Sequence, residues 1–148
     1  MTPLRFAASQ DLPAVLGLLE DTGLPYQDLT TAHLADLLVA EGGRSVLGIV
    51  GLERYGKDAL LRSLAVRPEN RFTGLGKQLA DAIEEHARRT GVGTLYLLTT
   101  TAADFFERRG YELIERRAAP SELQKTAEFS SLCPSQAVCM RRRLIQEP

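Results

Sequence analysis

The sequence predicts an α/β fold in which a mixed, mostly antiparallel central sheet carries helices on both faces. Three observations lead there. The strand-like runs "LLVAE", "SVLGIVGLERY" and "ALLRSLAV" are punctuated by Gly42-Gly43 and by Gly56-Lys57-Asp58, the pattern of an antiparallel meander. Leu75, Leu79, Ala82, Ile83 and Ala87 then recur at helical spacing. Finally, "TLYLLTT" (Thr94 to Thr100) is nearly all apolar, as expected of a strand buried on both faces.

The remaining elements fall around these three. "LRFAA" (Leu4 to Ala8) reads as a first strand. Ser9 is positioned to cap a helix whose Leu12, Val15, Leu16 and Leu19 share one face. Pro13 is tolerated there because it lies in the first turn, and Gly23 ends the helix. "TTAHLADLL" begins as a short helix capped by Thr30 or Thr31 and passes into the first meander strand. The long helix closes with Arg88 and Arg89 in its last turn and Gly91 beyond. After the apolar strand come a short helix "AADFFERR" ending at Gly110, a strand "YELIERR", a capping-box helix start at Ser121-Glu122-Leu123-Gln124, and a last strand "AVCMRRRLI". The predicted order is β-α-α-β-β-β-α-β-α-β-(α)-β.

The 148 residues suit one domain, residues 1–148, large enough to bury a core. Hydrophobic residues make up 44% and charged residues 25%, a soluble composition. No apolar run approaches the roughly 20 residues of a membrane helix, and "MTPLRFAASQ" lacks the apolar core of a secretory signal, so no membrane partner and a cytoplasmic location are expected. The net charge of −1 offers no global attraction to nucleic acid, and Arg141-Arg142-Arg143 reads as a solvated strand end. Cys133 and Cys139 read as buried or half-buried free thiols, since a reducing compartment disfavours a disulfide and the only histidines, His33 and His86, are remote in sequence. No metal site is expected.

The stretch "LAVRPENRFTGLGKQLA" joins a strand to the long helix. It is not a Walker A loop, because Gln78 follows Gly76-Lys77 and Arg71 occupies the position of the first glycine. It is not a dinucleotide fingerprint either, because Leu79 replaces the third glycine. What remains is Arg71-x-x-Gly74-x-Gly76 at a helix start. Bare backbone, unpartnered first-turn N–H groups, the helix dipole, Arg71 and Lys77 together make an anion site. Taken alone, the hexapeptide equally fits a tight turn with no ligand.

In its setting, directly after "LLRSLAVRPE" and opening the main helix, this motif resembles the GCN5-related N-acetyltransferase (GNAT) superfamily. The order of elements from Leu4 to Leu144 and the segment "ADFFERRGYELI" are similar to that family as well. The resemblance implies the GNAT-like acyl-CoA N-acyltransferase fold, with acetyl-CoA as co-substrate and an acetyl-CoA-dependent acyltransferase activity. It implies that the strands "LLRSLAV" and "TLYLLTT" splay apart to admit the pantetheine arm. Leu64, Ala65 and Val66 would pair with that arm, and Arg71, Phe72, Thr73, Gly74, Leu75 and Gly76 would bind the pyrophosphate, with Lys77 nearby. More narrowly, "LLTTTAADFFERRGY" and "TAEFSSLCPSQAVCM" resemble the arsenic-resistance branch of these N-acetyltransferases.

Acetyl transfer to an amine requires a neutral amine, stabilisation of an oxyanion and a proton for the leaving thiolate. The resemblance gives the backbone N–H of Val66 the oxyanion. Phe106 stands where the family commonly has the tyrosine that protonates the thiolate, next to the CoA chain, so that acid is missing. Tyr96 and Tyr111 are substitutes, or simply packed aromatics. Glu53 is the best-placed carboxylate for a base, and it also fits an ordinary exposed strand residue. Thr99 falls where an asparagine usually contacts the CoA chain, and Ser63 could orient a water. Arg62, an arginine within an apolar strand, reads either as a binder of an acceptor carboxylate or oxyanion or as a face residue paired with Glu53 or Asp58. His33 and His86 read as structural, His33 lying in the acceptor-side region.

These readings predict an N-acetyltransferase acting by direct transfer on a small-molecule amine, an arsenical or amino-acid-like compound included. The alternative is a non-catalytic acyl-CoA or arsenical binding module, and a weaker one is a nucleotide-binding protein. The C-terminal strands offer a homodimer contact.

Overall fold

The computed structural model describes residues 2–144. Its strands are β1 (Leu4–Phe6), β2 (Leu37–Gly42), β3 (Ser45–Tyr55), β4 (Asp58–Val66), β5 (Thr94–Thr99), β6 (Glu112–Ile114) and β7 (Val138–Arg143). Its α-helices are α1 (Leu12–Thr22), α2 (Leu75–Arg89), α3 (Ala103–Glu107) and α4 (Ser121–Gln124). The strands form one open sheet ordered β1-β2-β3-β4-β5-β7-β6, mostly antiparallel with β4–β5 the parallel pair. This is the mixed, helix-flanked sheet that the sequence predicts. The chain divides into two compact units, Met1–Glu53 with Arg62–His86 and Arg54–Leu61 with Ala87–Pro148.

In the first unit β2 is antiparallel to both β1 and β3, with Leu4 opposite Ala40 and Leu38 opposite Val50. All four residues from Leu37 to Ala40 are buried, so β2 is covered on both faces. α1 supplies Val15, Leu18 and Leu19 to a core with Leu37, Val39, Ile49 and Ala65. Gly23 caps α1 at φ 75°, as predicted. Gly48 is where α2 lies on β3: a Cβ there would stand 2.9 Å from Leu79 Cδ1 and 3.1 Å from the Ala65 carbonyl oxygen. That close approach seats the apolar stripe Leu75, Leu79 and Ile83, all buried.

Several predicted details change here. Ser9 does not cap α1. It opens a 3-10 turn, Ser9–Asp11, whose Asp11 carboxylate accepts the Ala8 N–H at 2.6 Å and is gripped by Arg5 at 2.8 and 2.9 Å. A charged acceptor that also meets an arginine outcompetes a serine hydroxyl. "TTAHLADLL" is a 3-10 segment, Thr31–Asp36, with Thr30 at its N-cap as predicted, and His33 answers from within the segment: Thr30 N–H donates to His33 Nδ1 at 3.1 Å. The hairpin turn falls on Gly43-Arg44, with Gly42 closing β2.

In the second unit β5 pairs in parallel with the start of β4 from Asp58↔Thr94 to Leu60↔Tyr96 and antiparallel with β7 along its whole length. Leu60, Tyr96, Ala119, Leu123, Phe129 and Cys139 form its core. The strand "YELIERR" is only Glu112–Ile114, because the chain turns into a 3-10 segment at Arg116–Ala118. The capping box at Ser121 is not made: Pro120 occupies the N-cap position, and Gln124 Nε2 instead donates to the Ala119 carbonyl at 2.7 Å. The last strand is Val138–Arg143, and the Ile145 end of "AVCMRRRLI" lies outside the described residues. Among the described residues no helix is long and apolar enough to cross a membrane.

Candidate functional site

The glycine turn lies wholly within the first unit. Pro68–Asn70 makes one 3-10 turn after β4, and α2 begins at Leu75 with its ladder opened by Gln78 N–H to the Gly74 carbonyl at 3.0 Å. Phe72 at φ 65° and Gly74 at φ 87° are left-handed, with Thr73 between them outside that region. Such alternation turns successive N–H groups to one side and makes a concavity for an anion. The N–H groups of Leu75, Gly76 and Lys77 precede the helical ladder and point the same way as the dipole. Thr73 Oγ donates to the Asn70 carbonyl at 2.6 Å, while Asn70 Oδ1 is buried and has no hydrogen-bond partner among the described residues. Arg71, Thr73, Gly74 and Lys77 are exposed, and Arg71 Nε reaches the Val66 carbonyl at 3.4 Å. Thr73, Gly74, Leu75 and Lys77 line a cavity of about 610 Å³. The donors, the cations and the open backbone fit a pyrophosphate. Leu75's side chain is buried, so only its N–H is available to a ligand. Phe72, by contrast, is fully exposed at 105%.

β4 contains a kink the sequence does not announce. Ser63 sits at φ 63°, a left-handed conformation costing an L-residue about 1 kcal/mol or more. It falls directly before Leu64, Ala65 and Val66, where an alternation of carbonyl and N–H directions must be reset.

Beside this kink lies an ion cluster of four side chains, of which Arg62 is buried and Asp28, His33 and Glu53 are half-buried. Arg62 is 4% exposed, and all five of its N–H donors are engaged. Nη1 donates to Asp28 Oδ2 at 2.6 Å and to Glu53 Oε1 at 2.7 Å. Nη2 donates to Asp28 Oδ1 at 2.8 Å and to the Pro25 carbonyl at 3.5 Å, and Nε to Ser63 Oγ at 3.1 Å. The expectation that Arg62 is an exposed face residue is corrected by its burial, while its expected pairing with Glu53 is present, and gripping an acceptor's oxyanion would require it to release one of these bonds. Burial pushes the Asp28 carboxyl up, but the bond and charge of Arg62 outweigh this and hold it below its ordinary value. His33 Nδ1 accepts the Thr30 N–H, so in the neutral ring Nε2 carries the proton, 3.4 Å from Glu53 Oε1. One oxygen of Glu53 thus faces both Arg62 and His33. Donor atoms of Asp28, His33 and Glu53 lie within 4.8 Å of one another, a spacing that suits a cation, and Arg62 supplies the positive charge there.

The other predicted site residues belong to the second unit. Tyr96 is 7% exposed within the core, and burial, then the Asp58 charge, push its phenol up. Thr99 Oγ accepts the Ala102 N–H at 2.9 Å, which shapes the entry to α3. Phe106 is buried and meets Phe105 and Tyr111 edge-on at 5.1 and 5.2 Å, so both it and Tyr111 are packed aromatics. Cys139 is buried and its thiol is pushed up to about 11 by burial, while Cys133 Sγ is 3.9 Å from Glu128 Oε1. His86 Nε2 is 2.8 Å from Asp36 Oδ1 in the first unit, the structural role expected of it.

A family model described as "Acetyltransferase (GNAT) domain" matches residues 33–113, more than half of the chain. The chain belongs to the GNAT acetyltransferase family. It is 34% identical over 108 residues to an uncharacterized N-acetyltransferase of Chlorobaculum tepidum, covering 72% of this chain and 67% of that one. It is 27% identical over 127 residues to the amino-acid acetyltransferase of Mannheimia succiniciproducens, covering 80% of this chain but only 29% of the relative. In fold it is similar to the N-acetylglutamate synthase of Neisseria gonorrhoeae solved with coenzyme A and N-acetyl-glutamate, with a TM-score of 0.85 at 23% identity over 99% of this chain and 36% of that one. This GNAT chain therefore spans about a third or less of the amino-acid acetyltransferases it matches.

For this GNAT acetyltransferase, sequence reasoning named the glycine turn, Glu53 and Arg62 as candidates, and the structure brings Glu53 and Arg62 together at 2.7 Å. Sequence reasoning missed Asp28 and Asn70 and gave His33 no part in the cluster. The signal available was an arginine and a serine in an otherwise apolar strand, which calls for buried carboxylate partners.

Proposed function

We propose that this chain moves the acetyl group of acetyl-CoA onto the amine of a small, amino-acid-like acceptor. The observation that carries the proposal is the glycine turn: alternating left-handed residues, a helix N-terminus and two cations at the end of β4. The relatives named amino-acid acetyltransferase support the acceptor class.

Acetyl-CoA, when bound, supplies the activated thioester. Arg71, Lys77 and the backbone N–H groups of Phe72 to Gly76 hold its pyrophosphate, and Leu64, Ala65 and Val66 offer an extended edge to the pantetheine arm. The Val66 N–H polarises the thioester carbonyl. The ion cluster carries two carboxylates against one guanidinium, a net charge of −1 with His33 neutral, which suits an incoming ammonium group. Glu53, fixed by Arg62 and His33, takes the proton from that ammonium directly or through one water. Tyr96 holds its proton and is a reluctant acid, so solvent protonates the leaving thiolate. An amino-acid-like arsenical is the finer form of the acceptor proposal.

Incubation with acetyl-CoA and a panel of amino acids, polyamines and amino-acid-like arsenicals, read by mass spectrometry, tests it. Acetylation of at least one amino-acid-like amine is expected. Binding of acetyl-CoA with no product from any amine would overturn the enzyme reading in favour of an acyl-CoA binding module. Phe106, buried and lacking a hydroxyl, is the observation that favours that second reading.

A further inference from the structure

Phe72 combines two unfavourable features. Its backbone is left-handed at φ 65°, a genuine outlier for a bulky side chain. Its ring is fully exposed at 105%, whereas Phe6, Leu113 and Val138, the other exposed large apolar residues among those described, stand at 46, 55 and 38%. Bonds on either side hold the strain in place. Asn70 N–H donates to the Arg67 carbonyl at 2.9 Å and Arg71 N–H to that of Pro68 at 3.3 Å, while Thr73 Oγ donates to the Asn70 carbonyl at 2.6 Å. Strain maintained in this way, on a ring that no core covers, points to a contact with a ligand. The position narrows which ligand. Phe72 follows Arg71 and stands two residues from Gly74, so it lies within about 7 Å of the pyrophosphate cradle along the chain. A Cβ at Gly74 or Gly76 would meet nothing within 4 Å, so the surface of the turn is open to a second group.

We infer that the Phe72 ring stacks on the adenine base of acetyl-CoA and so selects this donor over an acetyl-pantetheine that lacks the nucleoside. The inference rests on the proposed reading of the glycine turn as the pyrophosphate site. The chemistry that suits this place is an anion joined to a flat aromatic group: the backbone N–H groups take the phosphates, and the ring takes the base. Phenylalanine offers a π-face and no hydrogen bond, which serves stacking and ignores the edges of the base. It orders only two side-chain torsions on binding, so little rotamer freedom is lost. A docking surface for a protein or a membrane would set further apolar groups beside the ring. Its neighbours Arg71, Thr73 and Gly74 are charged, polar or bare, and all are exposed.

Calorimetric titration of the full chain with two donors tests the stacking role: acetyl-CoA, and the diphosphate ester of S-acetyl-pantetheine, which keeps both phosphates and lacks the adenosine. Phe72→Gly removes the ring at a position whose left-handed backbone glycine adopts freely. Acetyl-CoA affinity should fall about tenfold in this variant, while the truncated donor binds variant and parent within about twofold of each other. Phe72→Leu keeps the bulk and the restricted backbone, should weaken acetyl-CoA about threefold or more, and serves if Phe72→Gly loosens the turn. Phe72→Tyr, which keeps a stacking face, should stay within about twofold of the parent. Unchanged acetyl-CoA affinity in both Phe72→Gly and Phe72→Leu, or an equal loss for the two donors, overturns the assignment. Arg71→Ala separates this outcome from a failure of the cofactor site. If Arg71→Ala weakens acetyl-CoA and the Phe72 variants do not, the pyrophosphate site stands and the stacking role alone falls. No binding of acetyl-CoA to the parent overturns both.

Discussion

Arg62 Nη1 donates to Glu53 Oε1 across 2.7 Å from a side chain only 2% exposed, and the same nitrogen reaches Asp28. The buried Arg62 thus faces two carboxylates at once, and its removal takes a positive charge from both. Arg62→Met should destabilise the fold by about 3 kcal/mol or more, read by denaturant unfolding. Arg62→Lys should rescue little of this, because a lysine offers one point charge where five forked donors are in use. Full stability in Arg62→Met would contradict the cluster's structural role.

Glu53→Gln keeps the shape of the side chain and removes its basicity. A fall in kcat of about a hundredfold or more is expected, with acetyl-CoA affinity unchanged. A variant with wild-type kcat would remove Glu53 from proton transfer.

Arg71→Ala and Gly74→Asp strike the glycine turn from two sides. The first deletes an exposed cation, while the second adds a negative charge and a Cβ at φ 87°. Acetyl-CoA affinity should fall about tenfold for Arg71→Ala and further for Gly74→Asp. Circular dichroism should show the fold retained, and unchanged affinity in both would refute this placement of the pyrophosphate.

Arg5 and Asp11 give a pH signature. Hydrogen bonds from Arg5, then the Ala8 N–H, hold the Asp11 carboxyl at about 2, below its ordinary 3.8. Its folded pKa is depressed, so its stabilisation is present above about pH 4 and is lost as pH falls towards 2. Asp11→Asn should lower stability at neutral pH by on the order of 1 to 2 kcal/mol and should differ little from the parent near pH 2. An equal difference between the two at both pH values would show that the ion pair is not its source.

The two thiols should react unequally. Burial pushes Cys139 up to about 11, and it is 1% exposed, whereas Cys133 is half-buried. Iodoacetamide at pH 8 should label Cys133 first and Cys139 only on unfolding, as read by peptide mass spectrometry. Equal rates in the native protein would contradict the buried position of Cys139 on β7.

Legibility in the sequence followed the range of the interactions. The meander was readable because Gly43 and Gly56 act within a few residues, and the turn at Arg71 to Lys77 because its chemistry is contiguous backbone. The capping box at Ser121 misled because the same local pattern is satisfied differently once Pro120 takes the N-cap position and Gln124 turns back to Ala119. Ser9 misled for a similar reason, since Asp11 has an arginine partner that a local rule does not see.

By itself the sequence determined the mixed sheet, the order of elements and a glycine turn opening the long helix, because periodicity, turn residues and a helix start are local properties. Tertiary structure alone decided what Arg62 is for. Asp28 stands 34 positions away in the chain, and only folding brings it to the guanidinium in a place dry enough that each charge needs the other. The left-handed Ser63 belongs to the same decision: nothing in a serine demands that conformation, and the surrounding strand imposes it.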